Sequence, residues 1–121
     1  MGSGDGKNLF ALSNLHPDKK FLGLEFSSES INLSELARNK FSLTNTSFKE
    51  IDLISSEKWP SYIEEDTFVF SLMVLEEMPR LYKSVLNKLN FSNANYILFL
   101  EPMYSFSFKR ILLDIARLIR I

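Results

Sequence analysis

Three glycines stand at alternate positions near the start of the chain, Gly2, Gly4 and Gly6, directly before a run with helical periodicity. Without a Cβ they allow positive φ and let a ligand approach the main chain closely. The helix start behind such a turn offers unpaired N–H groups and a positive dipole end, which favour a carboxylate or a phosphate. Glu25 follows Gly6 by 19 residues and closes a short apolar segment. A carboxylate there can accept hydrogen bonds from both hydroxyls of a ribose. Asp52 closes a later candidate strand, where it could reach the exocyclic amine of an adenine. A dinucleotide turn, G-x-G-x-x-G, would need glycine where Lys7 stands. The G-x-G-x-G spacing present favours a ligand without a pyrophosphate and leaves a nicotinamide-dependent oxidoreductase as a distant alternative.

The elements that must position these residues follow from periodicity. Leu9, Phe10, Leu12 and Leu15 predict a helix that His16-Pro17-Asp18 stops, His16 capping its C-terminus. Residues 20–26 predict a buried strand running into a helix N-cap. The next helix opens at Ser28, with Ile31, Leu33, Leu36 and Ala37 inward and Arg38 and Lys40 in its last turn. Thr46 to Leu53 predicts a strand, and residues 55–65 a polar loop in which Trp59 and Tyr62 either cover an adenine or shield the sheet. Thr67 to Val74 and Tyr96 to Leu100 are nearly continuous apolar runs, as in strands buried on both faces. Between them, Pro79 suits a first helical turn, and Leu81, Val85, Leu86 and Leu89 form a stripe. Residues 108–121 predict a last helix. Strands alternating with helices imply an α/β fold with a mostly parallel sheet and flanking helices.

Composition narrows the chemistry. The chain has 121 residues, 45% of them hydrophobic, with 11 Phe to build a core. It holds 14 basic and 15 acidic residues, a net charge of −1, so nucleic acid is not an expected partner. It has no cysteine and a single histidine, His16, which excludes disulfides, thiolate zinc sites, Cys nucleophiles and most His-based triads. No apolar run reaches the roughly 18 residues of a membrane span. A soluble, cytoplasmic protein is expected. The last helix carries Lys109, Arg110, Arg117 and Arg120 beside an apolar face, which suits packing on the sheet or contact with a membrane surface. Nothing in the pattern selects an oligomeric state.

In the order and spacing of these segments the chain resembles the class I S-adenosylmethionine-dependent methyltransferases. Gly2, Gly4 and Gly6 match their glycine motif. KFLGLEFSSESI, residues 20–31, looks like their second strand, and KEIDL, residues 49–53, is similar to the segment whose acid contacts adenine. DTFVFSLMVLEEMP, residues 66–79, and NYILFLEP, residues 95–102, resemble their fourth and fifth strands. Leu75-Glu76-Glu77 stands where many members have Leu-Glu-His. No Asn/Asp-Pro-Pro-Tyr motif follows the fourth strand, which argues against methylation of DNA bases.

The resemblance implies S-adenosylmethionine as cofactor and methyl transfer to a small-molecule substrate. It implies a cofactor-binding set of Gly2, Gly4, Gly6, Asn8, Glu25, Phe26, Asp52, Leu53 and Ser71, with Tyr104 a candidate for the substrate pocket. The glycine turn would cradle the methionine part, Glu25 hold the ribose and Asp52 the adenine. No residue stands out as a general base, and no metal is implied. The fold implied is a Rossmann-like methyltransferase fold that is incomplete, residues 1–121 forming a single partial domain that lacks the first and last two strands. A buried central strand contributes on the order of 10 kcal/mol through about five apolar side chains. Whole domains are stable by only about 5–15 kcal/mol. The isolated polypeptide is therefore expected to be marginal and to bind the cofactor weakly or not at all. The alternative from another class is a non-catalytic remnant or interaction module of the same fold.

Overall fold

The structure is a computed structural model, described for residues 1–78 and 81–101. The expected positions Pro79, Tyr104 and the helix over 108–121 lie outside the described residues. The chain divides into two compact units, residues 1–52 and 53–121.

In the first unit the order is α1 (Lys7–Leu15), β1 (Phe21–Glu25), α2 (Ser28–Lys40) and β2 (Thr46–Glu50). β1 and β2 pair in parallel, Phe21 opposite Thr46 through Glu25 opposite Glu50. Each element ends for a local reason. The His16 N–H closes α1 on the Leu12 carbonyl (2.9 Å), and Asn45 Nδ2 donates to the carbonyls of Ser13 (3.4 Å) and Lys19 (3.1 Å). Ser27 caps α2 by accepting from the Ser30 N–H (3.2 Å), with Glu29 in the first turn and Arg38 and Lys40 in the last, matching the helix dipole. Leu9, Leu24 and Phe48 are buried here, and the Phe10 and Phe48 rings meet edge to face at 5.6 Å.

Two expectations change in this unit. Leu33 and Leu36 of α2 are exposed, and the buried position is Ser34. The apolar stripe did not choose the inward face; a small residue did, because it lets the helix come close to the glycine turn. β2 ends at Glu50, so Asp52 lies beyond the strand rather than at its last position. The Ile51 N–H still reaches the Glu25 carbonyl (2.7 Å), but residues 53–55 already form a turn.

The second unit contains β3 (Phe68–Leu72), α3 (Tyr82–Asn90) and β4 (Tyr96–Leu100), with one-turn 3-10 helices at Trp59–Tyr62 and Leu75–Glu77. β3 and β4 pair in parallel, Phe68 opposite Tyr96 through Leu72 opposite Leu100. Among the described residues the strands thus make two two-stranded parallel sheets. Both apolar runs were expected to be buried on two faces. In β3 burial instead alternates, Val69 and Ser71 being buried and Phe68 exposed; in β4 Tyr96, Ile97, Leu98 and Leu100 are exposed. Helices cover both faces of a strand only inside a wider sheet, and two strands alone leave faces open. No helix among the described residues is long and apolar enough to cross a membrane.

Trp59 decides between its two expected roles. It is 0% exposed, and its indole Nε1–H donates to the Leu53 carbonyl at 2.9 Å. It is core, unavailable to an adenine. Lys88 closes the same loop from α3, its Nζ donating to the carbonyls of Ile54 (2.6 Å) and Ser56 (2.9 Å) beside Glu57 (2.9 Å). Trp59→Phe keeps much of the apolar bulk but leaves the buried Leu53 carbonyl without this donor. Urea unfolding should show a loss of about 1–3 kcal/mol.

Candidate functional site

The first unit brings the glycine turn and Glu25 together. The Gly4 N–H donates to Glu25 Oε2 (2.9 Å), and the Ser27 N–H donates to Oε1 (3.0 Å). The Ser3 N–H reaches the Leu24 carbonyl of β1 (3.1 Å), the Gly6 N–H reaches back to the Ser3 carbonyl (3.0 Å), and Ser34 Oγ donates to the Gly4 carbonyl (3.2 Å). The first residues are therefore laid along the end of β1 and clipped to its terminal carboxylate. A carboxylate offers roughly four lone-pair positions, and these two N–H groups, with the Met1 ammonium charge nearby, are what the chain sets against it.

All three glycines of the turn have positive φ, +61° at Gly2, +52° at Gly4 and +82° at Gly6, but they answer to different constraints. Gly6 is the N-cap of α1, and a Cβ there would lie 2.8 Å from Phe48 Cζ and 2.9 Å from Phe10 Cζ. Gly23, within β1, is equally confined, its Cβ position lying 2.5 Å from Phe48 Cδ1 and 2.7 Å from Ser3 Oγ. These two glycines make room for the protein itself. At Gly4 nothing lies within 4 Å of the Cβ position. Its open side is where an outside group can approach the backbone.

Phe26, next to Glu25 in sequence, is 70% exposed. Asn8 is exposed in the first turn of α1, and Asp52 is half-buried just past β2. The charges at the turn are modest. Burial pushes the Met1 ammonium down to about 6, opposed by the nearby Glu25 charge. A hydrogen bond from Lys7 holds Asp5 below the usual carboxylate range.

The remaining expected residues lie in the second unit. Leu53 is buried, and its carbonyl is the acceptor for Trp59. Ser71 is 0% exposed, and its hydroxyl donates to Glu101 Oε1 (3.3 Å). The same carboxylate accepts from the N–H groups of Val74 (3.2 Å, Oε1), Leu75 (3.0 Å, Oε2) and Glu76 (3.3 Å, Oε2). Sequence reasoning passed over both Ser34 and Glu101. Glu101 directly follows an apolar strand, much as Glu25 ends one, but the sequence alone does not show which loop it faces. Among the described residues no three His, Cys, Asp or Glu side chains converge as a metal site.

No protein-family model and no curated protein matches the chain. Solved structures do match. One is PKMT2 from Rickettsia typhi in complex with AdoHcy, with a TM-score of 0.69 and 24% identity over 82% of this chain and 19% of that one. Another is the bifunctional kinase-methyltransferase WbdD, with a TM-score of 0.54 and 20% identity over 74% of this chain and 20% of that one. The complex of WbdD with the kinase inhibitor LY294002 gives a TM-score of 0.61 and 20% identity over 98% and 28% of the two chains. The fold is that of these methyltransferases, as the order of strands and helices led us to expect, and the chain spans 19% to 28% of the length of the chains it matches.

Gly6→Ala and Gly23→Ala should each lower stability by about 1–3 kcal/mol, because the Phe48 ring must shift in a packed core. Thermal unfolding followed by circular dichroism measures this. A shift no larger than that of a surface substitution would show that Phe48 yields freely.

Proposed function

We propose that residues 1–121 carry the nucleoside-gripping part of an S-adenosylmethionine-dependent methyltransferase, as one partial domain. The single observation that carries this reading is the clip between Gly4 and Glu25. It holds an acid beside a glycine with nothing within 4 Å of its Cβ position. In this reading the Gly2–Gly6 turn meets the methionine end of the cofactor, with Asn8 at its rim. Glu25 accepts from the ribose hydroxyls. Phe26 lies against the adenine, and Asp52 accepts from the adenine amine, with the Leu53 backbone beside it. Ser71, also in the expected set, lies in the second unit, one residue before the end of β3.

The cofactor supplies an activated methyl on a sulfonium. What the chain supplies is position: fixed backbone and carboxylate groups hold the nucleoside in one orientation, so that a nucleophile meets the methyl in line. No side chain of the described residues is needed as a base for a nucleophile that is already ionised. The partner is a small-molecule methyl acceptor and the setting the cytoplasm. The parallel pairs β1–β2 and β3–β4 support dependence on further strands, since the doubly wound fold places its ligand outside the carboxyl ends of a continuous sheet.

AdoHcy added to the ¹⁵N-labelled chain tests this reading. Weak binding is expected, with shifts confined to residues 2–8, 25–26 and 52–53. Gly4→Ala separates binding from folding. It costs only the positive-φ strain, roughly 1 kcal/mol, yet places a methyl group on the open side. It should weaken AdoHcy by at least about tenfold, that is 1.4 kcal/mol. Shifts that scatter over the surface, or a Gly4→Ala chain that binds as wild type does, would sink the proposal and favour the non-catalytic alternative.

A further inference from the structure

The loop that leaves β3 is held in a shape its own residues do not favour. Met73 follows the strand with φ +56°, a left-handed conformation that a long side chain resists, and its side chain is exposed, so packing does not impose it. Val74, next in sequence, is right-handed (φ −99°, ψ −40°). A left-handed residue followed by a right-handed one turns successive N–H groups inward into a concave nest that suits an anion. The anion is supplied by the chain: Glu101, directly after β4, takes the N–H groups of Val74, Leu75 and Glu76 and the hydroxyl of Ser71. The Met73 N–H completes the tie on the Leu100 carbonyl (2.9 Å). Four donors on one carboxylate and a fifth bond to the preceding residue fix residues 73–76 to the end of β4.

We infer that Glu101, backed by Ser71, is a positioning residue that holds the loop after β3 in the shape a ligand would meet there. That a ligand meets this loop rests on the methyltransferase reading above, since ligands of such folds gather at the carboxyl ends of the strands; the clasp itself does not. Ser71 then serves the site by holding Glu101, its hydroxyl being spent inside the protein. Strained backbone kept in place by such over-determination gathers where ligands are handled. In parallel α/β folds the carboxyl ends of the strands are that place.

Amide hydrogen exchange on the 121-residue chain tests the clasp, using Glu101→Gln, Glu101→Ala and Ser71→Ala. Gln matches Glu in size but cannot accept at both terminal atoms. If the carboxylate organises the nest, Gln should behave as Ala does, and protection of Val74, Leu75 and Glu76 should fall by at least about tenfold. Ser71→Ala should lower it less, and should add little when combined with Glu101→Gln. Protection of Val85, Leu86 and Leu89 in α3 should hold. Unchanged protection at residues 74–76 in Glu101→Gln would overturn the inference. So would a loss spreading through α3, since Glu101 would then support the unit as a whole. AdoHcy titration of the wild-type chain keeps the two proposals apart. Shifts that scatter over the surface would remove the nucleoside reading and leave the exchange result standing.

Discussion

The ring of Phe48 is the constraint on which the first unit turns. It occupies space that a Cβ on Gly6 or Gly23 would take, and it braces the Phe10 ring of α1. That one ring sets how closely the glycine turn, the start of α1 and the middle of β1 approach one another. Its consequence is felt near the Glu25 carboxylate, because Ser3, the residue before Gly4, packs closely against Gly23. Packing in the interior thus fixes polar geometry at the edge.

Both units use the same device at the carboxyl ends of their strands. A parallel strand that stops leaves the N–H groups of the next turn without ladder partners, and an acid at the strand end can accept them. Glu25 does this for Gly4 and Ser27, and Glu101 for Val74, Leu75 and Glu76. The two differ in their surroundings. Glu25 stands beside a glycine with nothing within 4 Å of its Cβ position, and the residue after it, Phe26, is exposed. Glu101 accepts four hydrogen bonds from its own chain.

Much of the fold was legible because apolar runs and turn residues are local signals. The alternation of helix and strand through residue 100 follows the periodicity, and the Ser27 cap and the glycine stop before α1 were readable from residue type alone. Faces were harder to assign. The leucines of α2 look inward on a helical wheel, yet Leu33 and Leu36 are exposed while Ser34 is buried, because a close approach to the Gly4 carbonyl selects size over hydrophobicity. Burial of β3 and β4 on both faces was inferred from composition, but what covers a strand is a property of its neighbours. The end of β2 was placed at Leu53 because Ile51 and Leu53 alternate with polar residues; the strand stops at Glu50, and the Leu53 carbonyl turns to the Trp59 indole. Glu101 escaped notice because an acid after a strand gains meaning only when the loop that it faces is known.

The contrast among the glycines carries an evolutionary consequence. Gly6 and Gly23 are demanded by the interior, so any descendant that still folds this way must keep them whatever it does for the cell. Gly4 has no such tenure, for no atom of the protein crowds it. In a lineage that ceased to grip a nucleoside, position 4 would be released to drift toward asparagine or aspartate, which tolerate that backbone. The other two would stay frozen, so the three positions together record whether an ancestral duty has been kept or abandoned.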